Sequence, residues 1–301
     1  MTNGPNVMGE FFERLGHRIV QSDSAWWYDV QPKVLLSFPY YRLVEPEESE
    51  LKTLMSRHKL RAIRYPTTLN GFGFLSNVAV NTNPDYDLNC QHQKARNQTR
   101  RGIKSCVVKE IDFNYLMESG LPLNQDTAQR QGRESQYADP EYWRKYCQAA
   151  QATSGVSAWG ALVEGKLGAF LVAIQVDDWV EWVVNHSATA LRKQCPNNAL
   201  AFYVAQYFFR EKGCKGICYG LGSLESTPDL DHFKERMGWE LKPIKQRLVF
   251  SKKMRCVFSV ANEPCLKVVN RLFPKSYMVR KSTAMIRLYR RQTYDKPSFD
   301  S

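Results

Sequence analysis

Lys234 is the residue whose local pattern points most directly to chemistry. It lies in a segment with apolar residues at helical spacing, Leu230, Phe233 and Met237, followed by Gly238. The spacing predicts a short helix, and the glycine suits the left-handed conformation in which many helices end. A lysine ammonium that points into a cleft can stabilise a developing oxyanion or bind a substrate phosphate. The alternative is an ordinary surface lysine.

Glu181 is a carboxylate within an otherwise apolar stretch, residues 179–188, which predicts a strand. A carboxylate in apolar surroundings suits a general base. Strict alternation divides the strand into two faces, with Glu181, Val183 and Asn185 on one and Trp182, Val184 and His186 on the other. His186 could be a second acid–base group or a hydrogen-bonded structural residue.

A long apolar helix is predicted to begin at Ala199, directly after the turn of residues 194–198, which includes Asn197 and Asn198. The first amides of a helix lack intrahelical partners and carry partial positive charge, so they could bind a pyrophosphate. Arg192 and Lys193 lie just before the turn. The alternative is a plain connection from strand to helix, with an asparagine as the N-cap.

Other common catalytic motifs are missing from the sequence. G-x-S-x-G, G-x-x-x-x-G-K-[ST] and G-x-G-x-x-G do not occur, which argues against serine, P-loop and NAD chemistry. The histidines and cysteines show no metal-ligand spacing, so no metal is expected. Scattered cysteines are typical of reduced thiols, and no signal peptide or long apolar run is present. We therefore expect a cytoplasmic protein without a transmembrane segment.

The elements that must position these residues predict an α+β fold with a mixed central sheet flanked by helices. Two strands joined as a hairpin precede the strand with Glu181, and another strand follows the helix that begins at Ala199. Elsewhere the patterns predict a helix over residues 11–21, a helix over 113–120 that stops at Gly120, strands over 241–243 and 247–250, a helix over 264–273, and a strand or hairpin over 278–289.

Positive charge is concentrated at the C-terminal end of the chain. Residues 241–301 hold 15 lysines and arginines against three acidic residues, which accounts for the whole net charge of +12. Such a segment could bind a polyanion such as tRNA, an anionic lipid surface or a phosphorylated substrate. The alternative is a solvated basic face without a partner.

Several segments resemble the acetyltransferase-like domain of the FemAB group (peptidoglycan-bridge-type proteins), within the GNAT-type acyltransferase superfamily. The similar segments are residues 158–188, 196–212 and 213–222, the Phe233-Lys234 pair with Gly238, the basic run Arg-Asn-Gln-Thr-Arg-Arg-Gly-Ile-Lys at 96–104, and Thr-Ala-Gln-Arg-Gln-Gly at 127–132. The resemblance covers residues 33–250. It implies a GNAT-like domain preceded by a degenerate copy, or a tandem pair.

The implied organisation is a disordered N-terminus (1–10), a degenerate GNAT-like domain (11–138), a GNAT-like acyltransferase domain with a basic extension (139–291) and a flexible tail (292–301). The implied activity is direct acyl transfer to an amine from an acyl-CoA, such as acetyl-CoA, or from an aminoacyl-tRNA. The donor would contact Val183, Val184, Asn185 and His186 and the helix start at Asn197, Asn198 and Ala199. Lys234 would lie at the transfer site, and Arg130, Tyr219 and Ser223 are expected to contact substrate.

One feature departs from that superfamily. No glycine occurs between Thr189 and Lys212, whereas a glycine-rich loop usually lets the backbone approach the donor pyrophosphate. A non-catalytic GNAT-like module that contacts nucleic acid or an anionic surface through the basic C-terminus is therefore the alternative function. The acceptor amine and the oligomeric state are left open.

Overall fold

The chain forms a mixed sheet of 11 strands flanked by helices on both faces. The computed structural model describes residues 6–132, 134–224, 228–260, 263–273 and 277–294. The strands are Ile19–Gln21 (β1), Trp26–Gln31 (β2), Val34–Phe38 (β3), Ala62–Thr67 (β4), Phe74–Asn81 (β5), Val107–Ile111 (β6), Val156–Val163 (β7), Lys166–Val176 (β8), Trp179–Ser187 (β9), Gly216–Leu221 (β10) and Glu240–Phe250 (β11). Their order across the sheet is β1-β2-β3-β4-β11-β5-β10-β9-β8-β7-β6.

Ten α-helices connect and cover these strands in the described ranges. They are Val7–Arg14 (α1), Glu48–Arg57 (α2), Gln93–Ser105 (α3), Phe113–Arg130 (α4), Pro140–Gln151 (α5), Pro196–Gln206 (α6), Pro228–Arg236 (α7), Lys252–Val260 (α8), Glu263–Leu272 (α9) and Tyr277–Arg290 (α10). None of these helices combines the length and the apolar character needed to cross a membrane.

The same arrangement of elements occurs twice in the sheet. In the first repeat, β1, β2 and β3 are antiparallel, α2 crosses over, and β4 pairs in parallel with β3. In the second repeat, β7, β8 and β9 are antiparallel, α6 crosses over, and β10 pairs in parallel with β9. A crossover helix is what two neighbouring parallel strands require. The fold therefore has the expected α+β class and a tandem GNAT-like organisation.

The two repeats exchange strands at the middle of the sheet. Strand β5 follows the first repeat along the chain but pairs with β10 of the second. Strand β11 follows the second repeat but pairs with β4 of the first, and β5 and β11 pair with each other. The two repeats therefore share one continuous hydrogen-bonded sheet. Strand β6, which precedes the predicted domain boundary at residue 138, pairs with β7 beyond it, and that boundary stays a prediction.

Two apolar clusters cover opposite faces of the second repeat. On one face, Trp143 and Tyr146 of α5 pack with Phe170 of β8. On the other face, Trp182 of β9 and Leu200 of α6 belong to a second buried cluster. These layers hold β9 and α6 from both sides, and so they fix the positions of the residues predicted to carry chemistry.

Helix α4 runs through the predicted stop at Gly120 and also contains Pro122. A Cβ atom at residue 120 would lie 2.9 Å from Leu116 Cδ1 and 3.0 Å from Trp143 Cζ2. This glycine therefore allows α4 to approach its neighbour closely, and the prediction that it ends a helix was wrong.

The N-terminus also differs from expectation within the described residues. Residues 7–10 were predicted to be disordered but belong to α1, where Met8 is fully buried. The helix predicted over 11–21 ends at Arg14, and β1 follows it. Residues 1–5 lie outside the described part of the chain.

The C-terminal elements are helical where a strand or hairpin was predicted. Residues 278–289 lie in α10, and the helix predicted over 264–273 is present as α9. The two strands predicted over 241–243 and 247–250 form one continuous strand, β11, that includes Pro243. At Pro243, β11 pairs with β5 alone, and its pairing with β4 begins at Lys245. The segment predicted to be a flexible tail begins at Gln292 with an ordered contact. The Gln292 side-chain amide accepts a hydrogen bond from the Leu248 backbone N–H and donates one to the Leu248 carbonyl oxygen. Residues 295–301 lie outside the described ranges.

Candidate active site

Strands β9 and β10 diverge beyond their first few residues. Their parallel pairing is limited to three residue pairs, from Trp179 opposite Gly216 to Glu181 opposite Cys218. Beyond these pairs, β10 continues alongside β5. The divergence opens the sheet between the two strands. Two cavities meet there, because Asn185 of β9 and Tyr219 of β10 line both of them.

A β-bulge at Val183 changes which side chains share a face. Trp182 is opposite Ala173 and Val184 is opposite Val172, so Val183 is an extra residue between these pairs. Trp182 and Val184 consequently pack into the two different clusters. The predicted alternation, which placed both on one face, was wrong beyond this position.

The first cavity, which we call the α6 cleft, has a volume of about 520 Å³ and lies at the start of α6. Its charged lining residues are three arginines and one carboxylate, Arg130, Arg192, Arg236 and Asp229. Asn197 and Asn198, for which donor contacts were predicted, also line it, whereas Ala199, predicted with them, is fully buried and does not. The excess of arginine makes this cleft suited to an anion.

The start of α6 offers few backbone donors. Cys195 has a φ of +57° and lies at the N-cap, and Pro196 has no amide hydrogen. The amides of Asn198 and Ala199 both donate to the Cys195 carbonyl oxygen at 3.2 Å. Among the first four residues of α6, the backbone amide of Asn197 is therefore the donor available to a ligand. The side-chain Oδ1 of Asn197 is buried without a hydrogen bond.

Gly102 of α3 supplies a close approach that the sequence analysis missed. A Cβ atom at residue 102 would lie 2.5 Å from the Cys195 carbonyl oxygen and 2.9 Å from Ala199 Cβ. The glycine therefore lets α3 pack directly on the turn before α6. A glycine within an otherwise polar, basic helix was the available signal.

Arg130 lies in the α6 cleft with the predicted donor contacts, and it does not line the cavity that contains Ser223. Its Nη1 donates to the Ser187 carbonyl at 3.2 Å and to Thr189 Oγ1 at 2.8 Å. Burial and the nearby charge of Arg192 lower the pKa of Arg130. This guanidinium thus joins α4 to the end of β9 beside the anion-suited surface.

The second cavity, which we call the aromatic cleft, has a volume of about 460 Å³ and lies between the two repeats. The predicted residues that line it are Val183, Val184, Asn185, His186, Tyr219, Ser223 and Lys234. Its aromatic lining comprises Phe11, Phe12, Tyr28, Tyr40, Tyr137, Tyr142, Tyr146, Trp182 and Tyr219. Most of the predicted site residues therefore meet in one cleft.

Lys234 is buried at the wall of the aromatic cleft. Only 4% of its side chain is exposed, and its Nζ lies 5.2 Å from the centre of the Tyr219 ring and 3.7 Å from Asp231 Oδ1. Burial lowers the pKa of Lys234, while Asp231 acts in the opposite direction. The surface-lysine alternative is excluded by this burial. Helix α7 ends at Arg236, and Gly238, two residues later, has the predicted left-handed conformation with a φ of +88°.

Glu181 is fully buried behind the cleft and lines neither cavity. Its Oε1 accepts hydrogen bonds from the amides of Tyr40 and Tyr41 at 2.7 and 3.3 Å. Burial raises the pKa of Glu181 to about 7, against the opposing effects of the Cys218 thiol and these two amides. The carboxylate thus fixes the loop that carries Tyr40 into the aromatic cleft.

Asn185 and His186 differ in how their side chains are satisfied. Both polar atoms of the Asn185 amide are buried at the junction of the two clefts, where this side chain interacts with the Tyr219 hydroxyl. An amide has more donors and acceptors than one hydroxyl satisfies, so this side chain is suited to a ligand. His186 Nδ1 lies 2.5 Å from Asn124 Oδ1, which agrees with a hydrogen-bonded structural histidine.

In the part of the chain that the structure describes, no group of three or more His, Cys, Asp and Glu side chains is arranged to hold a metal ion.

Comparisons with known proteins identify structural neighbours only. Neither a protein-family model nor a curated protein matches this sequence. The structure of FemX is similar, with a TM-score of 0.56, 12% identity, and coverage of 84% of this chain and 94% of FemX. A C-terminal domain described as that of a lysylphosphatidylglycerol synthetase from Agrobacterium fabrum has a TM-score of 0.55 and 10% identity, and the match covers 86% of this chain and 92% of that domain. L-PGS from Bacillus licheniformis has a TM-score of 0.50 and 14% identity, and the match covers 86% of this chain and 95% of the L-PGS chain. The chain therefore has a GNAT/FemAB-like fold.

Proposed function

We propose that this protein is an acyltransferase that moves an acyl group directly from a bound donor to an amine. The observation that carries the proposal is the divergence of β9 and β10, which joins the α6 cleft to the aromatic cleft at Asn185 and Tyr219. A donor in the first cleft and an amine in the second would meet at this opening. Holding two reactants in this way removes most of the entropic cost of their encounter.

The α6 cleft fits the phosphate groups of an acyl-CoA or of an aminoacyl-tRNA end. Arg130, Arg192 and Arg236 would bind these phosphates together with the Asn197 amide. Arginine side chains thus replace the backbone amides of a glycine-rich loop. When bound, such a donor supplies an activated thioester or ester carbonyl. An acyl-CoA, with acetyl-CoA as the simplest case, is the donor to test first, and aminoacyl-tRNA is the alternative.

Strand β9 and its neighbours can orient the donor. Beyond Glu181, the edge of β9 that faces β10 is not paired with it. The backbone of residues 183–185 in β9 is thus available for hydrogen bonds. An amide-bearing arm of the donor could pair with it in the way that an added strand does. The buried amide of Asn185, beside the Tyr219 hydroxyl, could bind the same arm.

Lys234 is the proposed group that stabilises negative charge on the acyl oxygen during transfer. Its ammonium is held in a buried position beside Tyr219, where a fixed charge acts strongly on a developing oxyanion. The general-base role predicted for Glu181 stays a prediction. Its pKa of about 7 suits that role, but its contacts favour positioning of the Tyr40 loop, in which case the amine proton leaves to water.

Binding and transfer measurements test this proposal. Acetyl-CoA should raise the melting temperature, because a ligand that binds only the folded state stabilises it. The variant Lys234→Met should keep acetyl-CoA affinity but lose about 100-fold or more in turnover with an amine panel. Lys242→Met, an exposed lysine on β11, is the matched control. Unchanged turnover in Lys234→Met would remove this lysine from the transfer site.

The alternative of a non-catalytic binding module depends on the basic C-terminal elements. Part of that charge is used internally, since Lys245 is buried against the carbonyl oxygens of Gly71 and Thr293, and Arg247 pairs with Glu48. Exposed cations remain on α8 and α9, namely Lys252, Lys253, Arg255, Lys267 and Arg271. Salt-sensitive binding of tRNA, with no stabilisation by any acyl-CoA, would favour this alternative or a tRNA donor. Transfer from aminoacyl-tRNA to an amine would distinguish the two.

A further inference from the structure

We propose that the outer face of α9 docks on the surface of a phospholipid bilayer that contains anionic lipids. This face is separate from the site of the proposed acyl transfer, because no described side chain of α9 lines the α6 cleft or the aromatic cleft. It combines an exposed apolar stripe with exposed cations beside that stripe.

Three large apolar side chains in the C-terminal half of α9 and directly after it are exposed to solvent. Val268 is 56% exposed, Leu272 is 67% exposed, and Phe273, the residue after the helix, is 56% exposed. Val268 and Leu272 are four residues apart, so they lie side by side on one face of the helix. Single exposed apolar residues are common, whereas a contiguous group of them indicates an interaction surface.

The opposite face of α9 is the one that packs against the protein. Leu266 is only 5% exposed and belongs to a buried apolar cluster with Leu248 of β11 and Met285 of α10. With 3.6 residues in each helical turn, Leu266 points about 160° away from Val268 and about 120° away from Leu272. Helix α9 therefore already has its core contact, and the exposed stripe is available to a second surface.

Exposed cations flank the apolar stripe. Lys267 and Arg271 of α9 are four residues apart, each directly before one residue of the stripe, and both are exposed. Helix α8, which ends two residues before α9 begins, carries three more exposed cations, namely Lys252, Lys253 and Arg255. A helix with an apolar stripe beside lysines and arginines is typical of a helix that lies at a membrane interface.

The positive charge of this region is fixed by its composition. Residues 251–294 contain 11 lysines and arginines and a single acidic residue, Glu263. This count includes the residues outside the described ranges, so ion pairs within the segment can neutralise only one of these cations. Anionic lipid headgroups attract such a segment, and each cation near the membrane surface adds to the affinity.

The apolar stripe distinguishes a bilayer from a nucleic acid as the partner of α9. A polyanion such as tRNA binds lysines and arginines through its phosphates and leaves Val268 and Leu272 in water. At a bilayer, apolar side chains enter the boundary between headgroups and acyl chains, while the cations beside them contact the headgroups. Both parts of this pattern are present on α9, and so the observations favour a bilayer.

Docking through α9 orients the aromatic cleft relative to the membrane. Helix α9 packs on α10, and Lys281 of α10 lines that cleft. The C-terminal helices therefore connect the docking face to the second of the two clefts.

Vesicle flotation tests the proposal with the full chain. Vesicles of phosphatidylcholine with about 30% phosphatidylglycerol should bind the protein, and vesicles of phosphatidylcholine alone should bind it about tenfold or more weakly, because several cations each contribute about fivefold. Equal binding to the two kinds of vesicle, or no binding to the anionic vesicles at millimolar lipid, overturns the proposal. Binding of tRNA without binding of anionic vesicles also overturns it and identifies a nucleic-acid surface.

Variants show whether α9 is responsible. Leu272→Ser should weaken binding to the anionic vesicles about tenfold, the effect of keeping one large apolar side chain from the bilayer, and Arg271→Gln should weaken it about fivefold. The matched controls Val107→Ser and Lys109→Gln change exposed residues of β6, at the far edge of the sheet, and should bind as wild type does. Equal binding of Leu272→Ser and Val107→Ser contradicts the proposal. Acetyl-CoA affinity should be the same in all four variants, so failure of the docking face and failure of the proposed donor are distinguishable.

Discussion

Replacing Glu181 by glutamine separates the two roles that this buried carboxylate could have. Glutamine keeps an oxygen that can accept from the Tyr40 amide, now bonded at 2.7 Å, but it cannot take a proton. A positioning role predicts that Glu181→Gln loses less than tenfold in transfer rate. A general-base role predicts a loss of about 100-fold to 10,000-fold. The structure favours the first result, because the carboxylate lines neither cleft.

The same variant should change how stability depends on pH. The pKa of Glu181 is raised from its ordinary value of 4.5 to about 7 in the folded protein, so the folded state binds more protons than the unfolded state between these values. Stability is therefore lost as pH rises through this range. At 1.36 kcal/mol per pKa unit, wild type should lose about 2–3 kcal/mol relative to Glu181→Gln between pH 5 and pH 8.

Urea unfolding at several pH values measures this effect. The difference between wild type and Glu181→Gln isolates one group, because the other titrating groups are common to both proteins. Glu240→Gln, which changes an exposed glutamate at the start of β11, serves as the control and should follow wild type. A difference between wild type and Glu181→Gln that does not change with pH would refute the reasoning about burial.

Two further substitutions test the α6 cleft. Gly102→Ala places a Cβ within 2.5 Å of the Cys195 carbonyl and should cost about 1–3 kcal/mol of stability. It should also weaken acetyl-CoA binding, whereas Ser105→Ala on the same helix should do neither, as measured by thermal unfolding and calorimetry. Arg192→Gln should weaken acetyl-CoA binding about 2-fold to 5-fold, the value of an exposed charge pair, and less at high salt. Lys193→Gln, which does not line the cleft, should leave the affinity unchanged; equal effects of the two variants would contradict the assignment of the cleft.

Much of the second repeat could be predicted because its signals are local. The order of β9, α6 and β10 follows from short-range patterns, and so does the left-handed Gly238 shortly after α7. A Cβ at residue 238 would lie 2.7 Å from the Cys90 carbonyl oxygen, so close packing and the left-handed φ both require glycine there. The burial of Lys234 did not follow from these local signals, because helical spacing places Leu230, Phe233 and Met237 on the packed face, and only the family resemblance implied that Lys234 lies at the transfer site.

Other features could not be predicted because they depend on residues far apart in the chain. The bulge at Val183 is defined by its pairing with β8, and no residue type marks it. Gly120 has the composition of a helix stop but serves close packing in α4. The segment that forms α10 was predicted to be a strand or hairpin from a partial alternation of apolar and polar residues. Its helical structure depends on apolar contacts with β11 and α9, which that local pattern does not reveal.

The sequence by itself determined the α+β class, the elements around β9 and α6, and the presence of Lys234 on a short helix followed closely by a glycine. Only the tertiary structure decided that β5 and β11 cross between the repeats, that β9 and β10 diverge, and that Arg64 and Lys281 join Lys234 in one cleft. The physical reason is range. Helix periodicity and capping act between residues a few positions apart, whereas strand pairing and cavities are created by long-range contacts, which leave little trace in any single segment.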